Sequence, residues 1–259
     1  MENQPILTIR NLTKKFGGLT AVNDVDLDIY PGEVVALLGD NGAGKSTLIK
    51  CVSGVHSRTS GRVTFEGEEV SFSNPIEARD RGIETIYQDL ALANNLDVAG
   101  NIFLGREKER SHFGGLISSL DDKFMRERSA EALETLHVEI PSITAPIETL
   151  SGGQRQAVAI ARAVYWDAKL MIMDEPTNNL GVPEQKKVLE LINTLRDRGV
   201  PVVLISHNLP DVFAVADRLV IMHRGRKVTE KKVSDTNSEE VVQYMIGALD
   251  DTRDKELAD

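Results

Sequence analysis

The 259-residue sequence predicts an α/β fold in which parallel strands form the core. Three continuous apolar runs, at 33–38, 170–173 and 202–205, have the composition of strands buried on both faces of such a sheet. A helix is predicted between the last two runs, with Pro183 near its start and Gly199 after its end. Because strands that alternate with helices pair in parallel, these observations together predict a parallel sheet.

The amino-terminal third predicts a second, antiparallel sheet. Apolar and acidic residues alternate over 25–29, and Val63 and Phe65 repeat this period of two beyond the first buried strand. An N-terminal antiparallel β subdomain is therefore expected beside the parallel core.

A helical segment interrupts the α/β pattern. Residues 89–150 are mostly helical in pattern, with an apolar stripe between Met125 and Leu136. We interpret this segment as an α-helical subdomain inserted into a single domain that spans 6–246. The polar tail at 247–259 is expected to be frayed.

Composition and charge argue against several functions. The net charge of −10 opposes a nucleic-acid surface, because phosphate neutralisation needs clustered Lys and Arg. No apolar run approaches the length that spans a bilayer. Residues 1–5 lack the basic and apolar regions of a signal peptide, so we expect the protein to stay in the cytoplasm. The single cysteine, Cys51, is interpreted as a small buried hydrophobe rather than a reactive thiol.

A phosphate-binding loop directly follows the first buried strand. Residues 39–47 read Gly-Asp-Asn-Gly-Ala-Gly-Lys-Ser-Thr, and a helix is predicted from Ser46. Such glycines let backbone N–H groups turn inward and bind phosphates at a helix amino terminus. Lys45 is expected to reach the β and γ phosphates of a nucleotide, Ser46 to bind Mg²⁺, and Thr47 to approach the α phosphate. The predicted binding residues are Gly39, Asp40, Asn41, Gly42, Ala43, Gly44, Lys45, Ser46 and Thr47.

Acidic and imidazole side chains follow the other two buried strands. Asp174 and Glu175 come after the run at 170–173, and His207 follows the run at 202–205. Because ligands bind at the carboxyl ends of parallel strands, all three side chains are expected near the phosphate loop. Asp174 would hold Mg²⁺ through a water molecule, and Glu175 would polarise the attacking water as general base. Taken alone, the acidic pair could instead cap a helix, and His207 could be structural.

Gln88 is a further candidate ligand. It ends an apolar segment just before the helical insert, where its amide could bind Mg²⁺ or the attacking water. A surface glutamine at the end of a strand is the alternative interpretation.

A second anion site is predicted at the start of a later helix, over 154–164. Ser151 is a natural N-cap for this helix, and the glycines after it expose N–H groups at the positive end of the helix dipole. This site has no lysine and no metal ligand, and consists of Ser151, Gly152, Gly153 and Gln154. A chain with one complete and one incomplete phosphate site predicts a C₂ dimer. In this dimer, the Ser151 loop of each subunit would close over the nucleotide bound at the Lys45 loop of its partner.

In this order, the motifs resemble those of the nucleotide-binding subunits of ATP-binding cassette (ABC) transporters, over about residues 6–246. The resemblance implies a P-loop NTPase with a RecA-like core that binds ATP and Mg²⁺ and couples ATP hydrolysis to transport. It makes 39–47 the Walker A motif and 150–154 the family signature, and it implies that Phe16 stacks on adenine. The implied catalytic residues are Lys45, Gln88, Glu175 and His207, and the implied metal ligands are Ser46, Gln88 and Asp174.

One position departs from the family pattern. Many cassettes carry an aspartate where this sequence has Gly181, after Leu180. Since that aspartate communicates across the dimer interface, coupling between the two ATP sites is put in doubt by Gly181.

Several segments are closer still to bacterial monosaccharide importers of the ribose, xylose and fructose type, among them 78–88, 101–106, 148–157 and 205–210. Many subunits of that group carry two cassettes in one chain. This sequence carries one, as fructose-type members do, so a homodimer is expected.

The resemblance also implies partners and a location. Integral membrane permease subunits would dock near 88–101, and a periplasmic sugar-binding protein would act indirectly. The protein would be peripheral, on the cytoplasmic face of the bacterial inner membrane. Contacts with the sugar would lie in those partners, so this sequence does not specify which sugar is carried.

Two alternatives remain. The chain could serve an ABC exporter or a lipid-extraction system, which differ in the membrane protein they bind. A cassette ATPase acting on DNA or ribosomes is less favoured, because the chain has neither a long coiled coil nor a second cassette joined by a charged linker.

Overall fold

The computed structural model describes residues 4–112 and 117–252, which form two compact units. The described parts of the first unit are 4–85, 169–176 and 192–252. Those of the second unit are 86–112, 117–168 and 177–191.

The strands and helices have the following bounds. The strands are β1 (Leu7–Phe16), β2 (Leu19–Ile29), β3 (Val34–Leu38), β4 (Ser60–Phe65), β5 (Glu68–Glu69), β6 (Ile83–Ile86), β7 (Glu109–His112), β8 (Ile117–Leu120), β9 (Leu170–Asp174), β10 (Val202–Ile205), β11 (Arg218–His223) and β12 (Arg226–Lys232). The helices are α1 (Lys45–Val52), α2 (Pro75–Asp80), α3 (Val98–Ile102), α4 (Asp122–Thr135), α5 (Gly152–Tyr165), α6 (Val182–Asp197), α7 (Leu209–Val215) and α8 (Ser238–Met245).

A six-stranded sheet in the order β12-β11-β3-β10-β9-β6 confirms the predicted parallel core. Strand β3 pairs in parallel with β11 and β10, and β10 pairs in parallel with β9. The three apolar runs form β3, β9 and β10, in which every residue except Asp174 is buried. Only a strand covered on both faces has such a burial pattern, which explains why these runs do not alternate.

The predicted antiparallel sheet is present in the first unit, in the order β2-β1-β4-β5. Strand β1 pairs antiparallel with both β2 and β4. Its inward side chains share one apolar core with β3, β10 and helix α1, in which Phe65 and Leu48 are fully buried. The phosphate-loop helix α1 is therefore held by packing as well as by its own hydrogen bonds.

The second unit contains the helices α3, α4 and α5, but it is larger than the predicted insert at 89–150. Phe103, which follows α3, packs against Tyr165 and Trp166 at the end of α5, with ring centroids 4.8 and 5.6 Å away. The indole N–H of Trp166 donates to the carbonyl of Ile102 at 2.9 Å. These contacts join α5 to the insert, although α5 lies beyond residue 150.

A short hairpin formed by β7 and β8 lies within the segment predicted to be helical. The described side chains of β8 are exposed, including Leu120. Exposed polar strand residues such as Ser118 and Ser119 do not give the alternation of apolar and polar residues by which strands are recognised in a sequence.

The first residues of the predicted tail are attached to the first unit. Asp251 accepts hydrogen bonds from the hydroxyls of Thr229 in β12 (2.5 Å) and Tyr244 in α8 (2.7 Å). The rest of the predicted tail, 253–259, lies outside the described residues. Among the described residues, no helix combines the length and the apolar composition needed to cross a bilayer.

One ion-pair cluster ties the edge of the parallel sheet together. The Arg218 guanidinium contacts Glu33 and Glu230, each at 2.5 Å, and donates to the carbonyl of Asp28 at 2.6 Å. Its side chain is 13% exposed, so all three contacts are largely shielded from water.

Replacing Arg218 with alanine should destabilise the protein by about 3–5 kcal/mol, because two carboxylates would then lie close together without a counter-charge. Equilibrium urea denaturation would measure the change in the free energy of unfolding. The matched control is Arg10→Ala, which removes an ion pair with Asp28 whose arginine side chain is 44% exposed. That control should cost about 1 kcal/mol or less. Equal losses in the two variants would contradict the role given to Arg218.

Candidate functional site

The phosphate loop can be formed only with glycine at two positions. Gly39, with φ of +145°, directly follows β3, and a Cβ there would lie 2.2 Å from the carbonyl oxygen of Met222. Gly44 has φ of +101°, and a Cβ there would lie 2.5 Å from the carbonyl oxygen of Ala21. Side chains at either position would push the loop off the sheet.

Helix α1 presents its amino terminus to this loop. It begins at Lys45, one residue before the predicted start, with Gly44 as N-cap and no side-chain cap. The first turn of an α-helix leaves N–H groups without partners inside the helix, and the helix dipole makes that end positive. The loop and the helix start therefore form an anion-binding site made of backbone.

Lys45 is the cation of this site. Its ammonium group donates to the carbonyl oxygens of Gly39 (2.7 Å) and Asp40 (3.1 Å). Burial lowers its pKa, while the negative charges of Glu175, Asp174 and Asp40 oppose that shift. The lysine is thus folded back over the loop and lies in the field of the two carboxylates predicted to share its site.

Asp174 and Glu175 lie at the carboxyl end of β9. Burial raises the pKa of Asp174, and the charge of Glu175 raises it further, while Lys45 and Lys50 act in the opposite direction. Asp174 lies opposite Ile205 in the parallel ladder with β10. The two strands consequently end side by side.

Glu175 contacts His207. The backbone N–H of Glu175 donates to the carbonyl of Ile205 at 2.8 Å, and its φ is +53°, in the left-handed region. For a residue other than glycine such a conformation costs roughly 1–3 kcal/mol. It brings Oε1 of Glu175 to 2.9 Å from Nδ1 of His207, with the carboxylate 18% exposed and the imidazole 69% exposed. The Glu175 carboxylate is therefore shielded from water, whereas the exposed imidazole of His207 can reach a ligand.

A groove of about 550 Å³ runs beside the loop. The predicted adenine-stacking residue, Phe16, lines it with 43% of its surface exposed. Lys14 lies over the Phe16 ring at 4.8 Å from its centroid, and His56 contacts it edge-on at 5.2 Å. The remaining lining residues are Leu19, Thr20, Ala21, Asn41, Gly42, Ala43, Gly44, Lys45, Ser46, Thr47, Arg224 and Gly225.

Arg224 and Gly225 were not predicted from the sequence. They form the turn between β11 and β12, and the turn is tied to the loop because Gly225 N–H donates to the carbonyl of Ala43 at 2.9 Å. The exposed Arg224 brings a second positive charge to the groove. Its Arg-Gly turn is visible in the sequence, but nothing in the sequence places that turn beside a loop some 180 residues earlier.

Oxygen ligands suited to Mg²⁺ are available in the first unit. The exposed hydroxyl of Ser46 and the carboxylate of Asp174 are the hard donors that this ion prefers. Across 4–112 and 117–252, no three His, Cys, Asp or Glu side chains cluster closely enough to hold an ion by themselves. These residues fit an ion that keeps part of its water shell and shares phosphate oxygens with a nucleotide.

The other predicted site residues belong to the second unit. Gln88 is exposed and follows β6. Ser151 caps α5 through a capping box: its hydroxyl accepts from Gln154 N–H at 3.3 Å, and the Gln154 side chain accepts from Ser151 N–H at 3.0 Å. The functional roles of Gln88 and of residues 151–154 stay predictions.

Comparison with known proteins gives consistent similarities. Residues 22–178 match the ABC transporter family. The chain is 47% identical to the fructose import ATP-binding protein FrcA of Rhizobium meliloti, over 98% of each chain. It is 50% identical to the xylose/arabinose import ATP-binding protein XylG of Sulfolobus acidocaldarius, over 93% of each chain. It is 42% identical to a ribose import ATP-binding protein of Rubrobacter xylanophilus, but spans 46% of that relative's length.

Solved structures of the same type share the fold. An ATP-binding cassette of an ABC transporter in its ADP conformation matches with a TM-score of 0.79 and 27% identity, over 94% of this chain and 99% of that one. A dimeric cassette in a post-hydrolysis state, bound to ADP and phosphate, matches with a TM-score of 0.72 and 26% identity, over 88% and 98%.

Two substitutions should distinguish the contributions of Lys45 and Arg224 to nucleotide binding. Lys45→Ala should abolish measurable nucleotide binding, since each hydrogen bond from a charged donor contributes about 1.5–3 kcal/mol. Arg224→Gln should weaken binding only about fivefold, the effect of one unit charge about 4 Å away in water-like surroundings. Calorimetric titration with ATP would measure both affinities.

The matched control is Lys232→Gln, which removes one positive charge at the far end of β12. It should leave nucleotide affinity unchanged. Arg224 would have no part in binding if Arg224→Gln behaved like this control.

Proposed function

This chain belongs to the ABC transporter family, and on that premise we propose that it is the ATPase subunit of an importer that carries a monosaccharide. The observation that carries the proposal is the identity of 47% and 50% to sugar import ATP-binding proteins, over nearly the whole of both chains. Relatives of this similarity and coverage support a shared role more strongly than fold does, because one fold can serve many functions.

In the proposed reaction, water attacks the γ phosphorus of ATP, the bond to the bridging oxygen breaks, and ADP and phosphate leave. Phosphoryl transfer of this kind depends mainly on positioning and charge stabilisation. The backbone of 39–47 would bind the phosphates, and Lys45 would exchange the carbonyls of Gly39 and Asp40 for phosphate oxygens. The adenine would lie against Phe16 in the groove.

Glu175 would accept the proton of the attacking water. A general base in position contributes about 10²–10⁴-fold to a rate. His207 would orient that carboxylate through the 2.9 Å contact and offer its exposed edge to the γ phosphate. Mg²⁺, held by Ser46, Asp174 and in this proposal Gln88, would neutralise charge on the β and γ phosphates.

A head-to-tail homodimer would complete each ATP site. Residues 151–154 would close over the nucleotide of the partner subunit, as an anion site without its own lysine requires. The capping box supports this role because it fixes the Ser151 hydroxyl at the amino terminus of α5. The structural similarity to a dimeric cassette supports the same arrangement.

Membrane permease subunits are the proposed partners of the surface at 88–101. Asn101, which is fully buried, holds part of this surface: its side chain accepts from Ala93 N–H at 2.7 Å and donates to the carbonyls of Ala93 and Asp97, both at 3.0 Å. A preorganised loop loses little entropy on docking. The chain would then work at the cytoplasmic face of the membrane, with a periplasmic sugar-binding protein as an indirect partner.

Glu175→Gln should trap an ATP-bound dimer, because the amide keeps the side-chain shape but cannot take the proton of the attacking water. Light scattering after size-exclusion chromatography would show a doubling of mass with ATP, and no doubling with ADP. Adding Lys45→Ala to the same protein should return the monomer. A mass that stays monomeric at saturating ATP would contradict the proposed dimer.

The trapped protein also tests the transport role. Captured from its own cell membranes with ATP, it should bring down a sugar-permease subunit and a periplasmic binding protein. An exporter subunit or soluble nucleic-acid machinery in their place would overturn the import proposal and leave the ATPase chemistry standing.

Gly181→Asp should raise cooperativity between the ATP sites more than it changes turnover. The φ of Gly181 is not left-handed, and a Cβ there would meet its nearest neighbours, Glu184 Oε2 and Pro183 Cδ, at 3.9 Å, so the backbone tolerates a residue with a Cβ. Restoring the family's aspartate should move the Hill coefficient of ATP hydrolysis toward about 2, the number of sites. Gly181→Ala, which adds a methyl group without a charge, is the control and should leave the Hill coefficient unchanged. A loss of turnover in both variants would instead assign a structural need for glycine.

A further inference from the structure

Two side chains support the Phe16 ring from outside the groove. The Lys14 ammonium lies over the ring at 4.8 Å from its centroid, and the His56 imidazole meets the ring edge-on at 5.2 Å, with 79° between the two planes. Phe16 lines the groove, whereas neither Lys14 nor His56 is among the described residues that line it. Both supports therefore lie away from the space that is open to a base.

Lys14 is itself held in place. Its ammonium donates to the carbonyl oxygen of Ser57 at 2.6 Å, and its side chain is half-buried. The carbonyl is neutral, so the ammonium keeps its full positive charge. A cation over an aromatic ring is attracted by the negative face of the ring. The contact between Lys14 and Phe16 thus restrains the ring as well as the lysine.

The segment that carries these supports continues directly from α1. His56 and Ser57 follow the carboxyl end of the helix, and the N–H of His56 donates to the carbonyl of Lys50 at 2.9 Å. The amino terminus of the same helix faces the phosphate loop. One helix therefore connects the phosphate-binding loop with the residues that hold the Phe16 ring.

We propose that Lys14 is a positioning residue for adenine, with His56 as a second support. Lys14 would hold the Phe16 ring in the orientation that stacks on the base. It would consequently contribute to the affinity for a nucleotide but not to the affinity for its phosphates alone. The inference rests on the proposed function, in which the adenine lies against Phe16.

The physical reason is preorganisation of an exposed ring. Phe16 is the last residue of β1 and is 43% exposed. Exposed side chains without fixed partners exchange rotamers rapidly, and a ligand that binds such a side chain must restrict it at a cost in conformational entropy. Lys14 and His56 restrict the ring before a base arrives. Less entropy is then lost when the base stacks on it.

Lys14→Gln removes the cation and keeps a polar side chain at this position. Calorimetric titration should show that the affinity for ATP falls by about two- to fivefold, the range set by one cation–π contact at an exposed site. Inorganic tripolyphosphate has the phosphates of ATP but no base. Its affinity for the variant should equal its affinity for the unsubstituted protein, which also shows that the phosphate loop of the variant is folded.

The matched control is Lys15→Gln, which makes the same change of charge at the next residue of β1. Lys15 is exposed, and its backbone N–H, which the substitution retains, donates to the Thr59 hydroxyl at 2.9 Å. The affinities for ATP and for tripolyphosphate should both stay at the values of the unsubstituted protein.

A double-mutant cycle tests whether Lys14 acts through the ring. Phe16→Leu alone should weaken ATP binding by at least about fivefold, as expected for the loss of one stacked base. Adding Lys14→Gln to Phe16→Leu should have no further effect on ATP affinity, because no ring is left to position.

The outcomes separate the two proposals. Unchanged ATP affinity in Phe16→Leu would overturn the placement of adenine against Phe16. A loss in Phe16→Leu with none in Lys14→Gln would overturn the positioning role alone. A loss in Lys14→Gln that is equally large for tripolyphosphate, or that persists in the Phe16→Leu background, would show that the lysine charge acts on the phosphates, which contradicts the positioning role.

Discussion

The parallel register of β3, β10 and β9 is the constraint on which the proposed catalytic residues depend. Leu37 lies opposite Ile205, and Ile205 lies opposite Asp174, so the three strands end level with one another. The phosphate loop, His207 and Glu175 each follow one of these ends. If one of these strands shifted its register by one residue, every side chain on it would move to the opposite face of the sheet. The close packing on both faces prevents such a shift. The core therefore fixes the spacing of the proposed catalytic side chains.

The close backbone approaches around the loop depend on the same core. Gly39 and Gly44 lie against carbonyl oxygens of two neighbouring strands, and the turn at Gly225 is bonded to Ala43. These contacts come from β2, which precedes the loop, and from β11 and the turn after it, which lie about 180 residues further along the chain. The local sequence of the loop specifies its shape, but neighbouring strands hold it in place. The antiparallel sheet thus contributes directly to the phosphate site.

The sequence could predict the features that depend on residues close together in the chain. Apolar runs, glycine spacing and caps act over a few residues, so β3, β9, β10, α1 and α5 were predictable, with small differences at their ends. Contacts between distant segments cannot be recognised from the local sequence, which is why the place of Arg224 beside the phosphate loop was missed. The sequence predicted that Glu175 and His207 follow the ends of neighbouring strands. It did not predict their 2.9 Å contact, because that distance depends on the left-handed backbone at Glu175. The hairpin of β7 and β8 was missed because its described side chains are exposed and do not alternate with buried apolar ones.

Internal hydrogen bonds engage both proposed phosphate sites. The Lys45 ammonium is bound by carbonyls of its own loop, and the Ser151 hydroxyl accepts from the N–H of Gln154. Binding of ATP to the loop at 39–47 would then be an exchange of hydrogen bonds, and the net affinity would be the difference between the old partners and the new ones. Because the present partners of Lys45 are neutral carbonyls, the exchange for charged phosphate oxygens favours the nucleotide.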